Sequence, residues 1–131
     1  MANLVYKADP PLTDQELQNQ FADAWDGYEP RTFGKILSRS RGYVACWDGE
    51  ELVGFVKVAW DGDKHAFILD TTVRRSYQHT GVGSELVRSA EDLARNRGAE
   101  WLHVDFEPHL LEFYRGCGFR DTPAGLKKLR W

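Results

Sequence analysis

Cysteine is scarce in this chain: two residues in 131, Cys46 and Cys117, far apart and without a CxxC pair. The four histidines, His65, His79, His103 and His109, have neither HExxH nor finger spacing. Neither a disulfide framework nor a metal site is therefore expected, and two buried thiols are the plain reading. No apolar run approaches the ~20 residues that cross a bilayer, so no membrane role is expected. The opening Met1-Ala2-Asn3-Leu4-Val5-Tyr6-Lys7 lacks the basic end and apolar stretch of a signal peptide, which points to the cytoplasm. Basic charge is not in excess: 17 Lys plus Arg stand against 20 Asp plus Glu, a net −3. A nucleic-acid module would carry the opposite balance, so no nucleic-acid partner is expected.

What is present suits a globular domain. Hydrophobic residues make up 42% and charged residues 28%, too apolar for a disordered chain. The length suffices for a core without staples. With no internal repeat or low-complexity tract, residues 1–131 read as one domain.

Thr13-Asp14-Gln15-Glu16 is a capping-box pattern, followed by Leu17, Phe21 and Ala24 at helical spacing as far as Trp25. A second short helix is expected over Thr32 to Arg39. The period then changes. Tyr43–Trp47 and Leu52–Trp60 are rich in β-branched and aromatic residues, and the Asp48-Gly49 between them signals a hairpin with a type I′ turn. Asp61-Gly62-Asp63 leads into a third strand, His65–Val73. Val82, Leu86, Ala90, Leu93 and Ala94 line one face of a helix that Gly98 can close. A strand is expected over Trp101–Phe106. Pro108 suits the start of a helix to about Cys117, with Gly118 as its cap. Leu126 to Trp131 reads as a last strand. The sum is an α+β sandwich: a mixed, mostly antiparallel central sheet flanked by helices.

The most informative segment is Val73-Arg74-Arg75-Ser76-Tyr77-Gln78-His79-Thr80-Gly81-Val82-Gly83-Ser84. It joins a strand end to a helix start, where unpaired N–H groups attract phosphate. Glycine there allows close approach of a ligand, or serves only as a cap. Other phosphate motifs are absent. There is no GxxxxGK[ST]; Leu86 stands where a dinucleotide fingerprint needs its third glycine; and Gly83-Ser84-Glu85-Leu86 is no nucleophile elbow.

Gln78-His79-Thr80-Gly81-Val82-Gly83 resembles the Q/R-x-x-G-x-G/A signature of the GNAT superfamily of N-acetyltransferases. Phe113-Tyr114-Arg115-Gly116-Cys117-Gly118-Phe119 is similar to that family's second segment, F/L-Y-x-x-x-G-F, in the same order and on matching elements. The resemblance runs from about Tyr43 onward. It implies an acyl-CoA N-acyltransferase fold that moves acetyl from acetyl-CoA to a primary amine by direct attack in a ternary complex. The pyrophosphate would lie on the N–H groups of Gln78, His79, Thr80, Gly81, Val82, Gly83 and Ser84. The pantetheine arm would pair with backbone near Thr71 and Val73, at an edge opened by the splaying of two strands. Tyr114 matches the family's general acid, which protonates the departing thiolate. A covalent route through Cys117 is disfavoured, because that residue falls on the packing face of its helix.

The base is read from the residues instead. Asp70 is a polar residue beside Phe67-Ile68-Leu69 and must face something polar, either an acceptor amine or a loop. Asp105, His103 and Glu107 are the other candidates. The chain departs from the family pattern at Phe67, where many members carry Glu, and at Glu107, where many carry Asn. Asp9, Asp14, Glu16, Asp23, Asp26 and Glu29 form an acidic stretch that could steer a cationic small-molecule or peptide amine, or simply coat a solvated helix face. A non-catalytic acyl-CoA sensor on the same fold remains the rival reading. The five tryptophans suggest a third, an interaction module with a homodimer seam.

Overall fold

A computed structural model describes residues 3–130. Five strands form one sheet in chain order: β1 (Leu4–Ala8), β2 (Gly42–Asp48), β3 (Glu51–Trp60), β4 (His65–Val73) and β5 (Trp101–His103). The first four run antiparallel to their neighbours, and β5 lies parallel to β4. The helices are α1 (Asp14–Ala24), α2 (Gly34–Arg39), α3 (Val82–Asn96) and α4 (Leu111–Gly116). The sheet is thus mixed and mostly antiparallel, as its sequence suggests.

Helix α1 starts where its capping box lies. Thr13 accepts from the Glu16 amide, and the Glu16 carboxylate accepts from the Thr13 amide. Leu17 and Phe21 then bury against Phe33, Ala45, Leu52 and Phe55 on one face of the sheet. On the other face α3 lays Val82, Leu86, Val87, Ala90, Leu93 and Ala94 over Val44, Val53, Val56, Val58, Ala66 and Ile68. Burial of these apolar stripes is the main source of stability.

Several elements differ from the sequence reading. Strand β1 has no counterpart among the elements expected from the sequence; it adds an edge to β2 over Leu4–Ala8. The hairpin turn is Gly49-Glu50, because Asp48 pairs directly with Glu51. Only Gly49 has a positive φ (62°), the pattern of a type II′ turn and not of I′. Strand β5 stops at His103 instead of Phe106, and the helix after Pro108 opens with a 3-10 turn before α4. Leu126 to Arg130 is exposed coil, not strand, and Trp131 lies outside the described residues. Leu126 and Leu129 are three apart, so a strand would send them to opposite faces, and both are over 80% exposed.

A bulge interrupts the pairing of β4 with β3. Phe55 pairs with Thr72 and Lys57 with Leu69, so Asp70 and Thr71 together oppose Val56. Asp70, the first residue of the bulge, takes a left-handed conformation (φ 59°).

Candidate functional site

Strand β4 is longer than the partner on its outer side. The parallel register with β5 covers His65, Ala66 and Phe67 only, so from Ile68 to Val73 that edge lacks a strand among the described residues. The Arg74 amide donates to the Val53 carbonyl. In an antiparallel ladder the next residue, Val73, then turns its own N–H and C=O to the opposite edge, and Thr71 does the same by alternation. The Gln78 side-chain amide donates to that Val73 carbonyl at 3.0 Å. An edge of this kind accepts an extended, amide-bearing ligand.

At the end of this edge the chain turns into α3. Gly81 is the N-cap, with φ 95° and no side-chain hydrogen bond, so the first-turn amides of Val82, Gly83 and Ser84 have no partner within the helix. Their partial positive charge adds to that of the helix end. The two glycines serve different ends. Gly81 is needed for its positive φ, and a Cβ there would meet open space. At Gly83 a Cβ would stand 3.3 Å from the Phe113 ring and 3.8 Å from Val73, so that glycine admits α4 to the packing.

The turn before α3 is braced from three sides. Tyr77 donates its hydroxyl to Asp48 at 2.5 Å. The Arg74 guanidinium donates to the Leu52 carbonyl at 2.6 Å. Arg75 binds Asp23 through its amide and side chain and pairs with Asp26. Within the turn Thr80 donates its hydroxyl to the Tyr77 carbonyl, and His79 adopts a left-handed φ of 61°. A strained residue held by its surroundings is a common mark of a binding turn.

The Tyr114 phenol lies beside Thr71 of this open stretch. Its ring is 6% exposed, stacks on Phe106 at 4.7 Å and meets Phe113 and Phe119 edge-on. Phe106 belongs to the segment that follows the end of β5 at His103. Burial pushes the phenol's pKa up; the adjacent Thr71 hydroxyl works against that shift, while the Cys117 and Asp105 charges add to it. The Thr71–Tyr114 pair falls short of hydrogen-bond geometry, leaving Thr71 Oγ1 buried with no partner among the described residues.

Asp70 points to the face that carries α1 and α2. Its Oδ2 pairs with Lys57 at 3.1 Å and Arg31 at 3.3 Å. Arg31 in turn lies over the Phe21 and Phe33 rings. Beside it, Thr72 is buried and accepts from the Gln20 amide of α1. The Lys57 and Arg31 contacts were not visible in the sequence, since they join residues far apart in the chain. The alternative base candidates are spread out: His103 sits against His65, Nε2 to Nδ1 at 2.7 Å, and stacks on Phe67. The acidic N-terminal stretch is mostly engaged in the fold. Asp14 accepts from the Phe33 amide, Asp9 pairs with Arg97, Glu16 closes the capping box, and Asp23 and Asp26 hold Arg75.

Cys46 is buried and Cys117 half-buried, both as free thiols. Among the described residues no cluster of three His, Cys, Asp or Glu could hold a metal ion, and no helix is long and apolar enough to cross a membrane. Trp47 and Trp60 lie toward opposite ends of the β2–β3 hairpin, and Arg41 and Arg120 cover the Trp60 and Trp101 rings.

A mixed sheet opened along one strand edge, with a glycine-capped helix at the end of that edge, defines the acyl-CoA N-acyltransferase fold. The acetyltransferase (GNAT) family model matches residues 10–119, and the chain belongs to that family. Streptothricin acetyltransferase of Streptomyces lavendulae is 33% identical over 116 residues, which cover 86% of this chain and 59% of that protein. The uncharacterized N-acetyltransferase YvbK of Bacillus subtilis is 32% identical over 89 residues, 66% of this chain and 57% of its own. The chain thus spans less than two-thirds of the length of these curated relatives. Among solved structures, a probable acetyltransferase of meticillin-resistant Staphylococcus aureus superposes with a TM-score of 0.81 at 23% identity, covering 98% of this chain and 99% of that one. The enzyme AAC(6')-Iy, solved with the bisubstrate analogue CoA-S-monomethyl-acetylneamine, gives 0.81 at 13% identity and 99% coverage of both. At those identities the agreement establishes the fold.

Proposed function

We propose that this protein transfers an acetyl group from acetyl-CoA to a primary amine of a small molecule or peptide, by direct attack in a ternary complex. One observation carries the reading: β4 has no strand beside it from Ile68 to Val73 among the described residues, with the Tyr114 phenol next to Thr71 on that stretch and the glycine-capped start of α3 beyond it. Phenol and helix mouth suit the two ends of an acyl-CoA arm. The pyrophosphate takes the amides of Gln78 to Ser84, where backbone donors and the helix end favour negative charge. The pantetheine amides pair with the backbone of Thr71 and Val73, displacing the Gln78 side chain from the Val73 carbonyl.

The thioester then lies in the gap between β4 and residues 104–107, beside Tyr114. The amine attacks the acetyl carbon from the α1–α2 face, and the phenol protonates the departing sulfur. Burial keeps that phenol protonated across the neutral range, as a general acid must be. Asp70 takes the proton the amine sheds. Lys57 and Arg31 both contact Oδ2, which leaves Oδ1 to accept it, directly or through water.

The test is thiol release from acetyl-CoA across a panel of amines, run alongside acetyl-CoA-induced thermal stabilisation. Release with at least one amine supports the reading. Stabilisation with no release from any amine favours the sensor, and absence of both rejects an acyl-CoA site.

A further inference from the structure

We propose that Thr71 is a positioning residue for the Tyr114 acid: its hydroxyl donates to the phenol oxygen as the phenol proton passes to sulfur. The inference rests on the acetyl transfer proposed above and deepens it. Thr71 Oγ1 is shut off from solvent and has no partner among the described residues. A buried hydroxyl is rarely left so, unless another state of the site supplies its partner.

The facing group is the Tyr114 phenol, and the Thr71 hydroxyl favours the ionised form of that phenol. Proton count sets the direction of donation. A phenol has one proton, and if it were donated to Thr71 Oγ1 it would be turned away from the thioester. The incomplete geometry leaves that proton unclaimed and free for sulfur. Thr71 must then be the donor, with the phenol oxygen as acceptor. Tyr114 cannot swing away to another partner, because Phe106, Phe113 and Phe119 enclose its ring. The bulge sets the geometry from the other side, since Asp70 and Thr71 share the place of one residue opposite Val56.

The step balances. The amine lone pair forms the C–N bond, and the C–S bond breaks with its electron pair going to sulfur. Sulfur takes the Tyr114 proton and leaves as the thiol. The proton shed by the amine goes to Asp70 and from there to water, and the phenolate, held meanwhile by the Thr71 O–H, is reprotonated from water. A hydrogen bond to an anion is stronger than one to the neutral phenol, so the contact strengthens as the transition state forms. The charge that opposes the phenolate is that of Asp105, since burial keeps the Cys117 thiol protonated. Thr71 is the group that offsets it.

The experiment compares Thr71→Val and Thr71→Ala, which lack the donor, with Thr71→Ser, which keeps it. With acetyl-CoA and a responsive amine, both donorless variants should lose kcat on the order of tenfold while KM for acetyl-CoA holds, and Ser should restore most of it. In a Tyr114→Phe background the same changes should cost nothing further. Ultraviolet titration of the tyrosines, differenced against Tyr114→Phe, should show Tyr114 ionising at higher pH without the Thr71 hydroxyl. A loss expressed in KM, a loss that persists with Phe at 114, or an unmoved titration would overturn the proposal. Full activity in Tyr114→Phe defeats the acid reading and this inference with it. A loss there, with none in Thr71→Val or Thr71→Ala, defeats this inference alone.

Discussion

Removing the Tyr114 hydroxyl leaves the ring stacked on Phe106 and edge-on to Phe113, so Tyr114→Phe separates chemistry from packing. Steady-state kinetics should show kcat down by about 10²-fold, the usual worth of a placed general acid. Urea unfolding should show a loss of at most ~1 kcal/mol, the net value of one hydroxyl contact. Unchanged kcat would leave Tyr114 as a core residue. Asp70 calls for a different control, because Asn tolerates the left-handed bulge but cannot take a proton. Asp70→Asn should lose kcat and regain part of it at high pH, where the free amine needs no base. It should also lose about 1–3 kcal/mol, since Lys57, only 13% exposed, gives up its carboxylate partner. Recovery at high pH in Asp105→Asn and not in Asp70→Asn would move the role to the loop after β5. Sequence spacing alone placed Tyr114 at both a packing position and a motif position, and the structure buries its ring among Phe106, Phe113 and Phe119. It could not place Lys57 and Arg31 beside Asp70, because no local pattern records a contact across the sheet.

Elements with a strong local signal came through the sequence well. The capping box of α1, the amphipathic face of α3 and the glycine-opened turn all depend on residues within one or two helical turns of each other. Strand β1 has no such signal, since its five residues pair only with β2 and precede two prolines. The expected final strand failed for the converse reason: Leu126 and Leu129 offered apolar residues without the alternation a sheet needs. The open edge of β4 was legible only as an implication of the family resemblance, because it depends on where β5 stops. Gly81→Val tests the helix mouth. The left-handed φ should cost about 1–2 kcal/mol by itself, so acetyl-CoA stabilisation must be measured relative to the unliganded variant. That stabilisation should vanish as the side chain enters the space open above Gly81. A retained thermal shift would place the pyrophosphate elsewhere.

At the scale of the whole molecule, alkaline pH should be the direction in which stability fails. Burial raises the pKa of Tyr6, Tyr43 and Tyr114, and the hydrogen bond to Asp48 pushes Tyr77 up to about 12. Each raised phenol favours folding below the unfolded value of about 10, and that contribution is lost as pH climbs through the folded values. The urea midpoint should therefore hold steady from neutrality to about pH 10 and fall steeply beyond. A midpoint unchanged at still higher pH would mean the phenols ionise alike in both states. The order of the sheet has a consequence in time as well. Two short turns join β2, β3 and β4, so their contacts close over little chain, whereas β1 pairs with β2 across α1 and α2. Strand β5 must wait for α3 to form and then docks by three residues only. The chain should thus assemble its hairpins first and its parallel edge last. Native-state hydrogen exchange should report the reverse sequence on opening, with the Leu102 amide exchanging through a small local fluctuation while Val56 and Val58 wait for global unfolding. Equal protection of the two would show that the parallel edge opens only with the whole sheet.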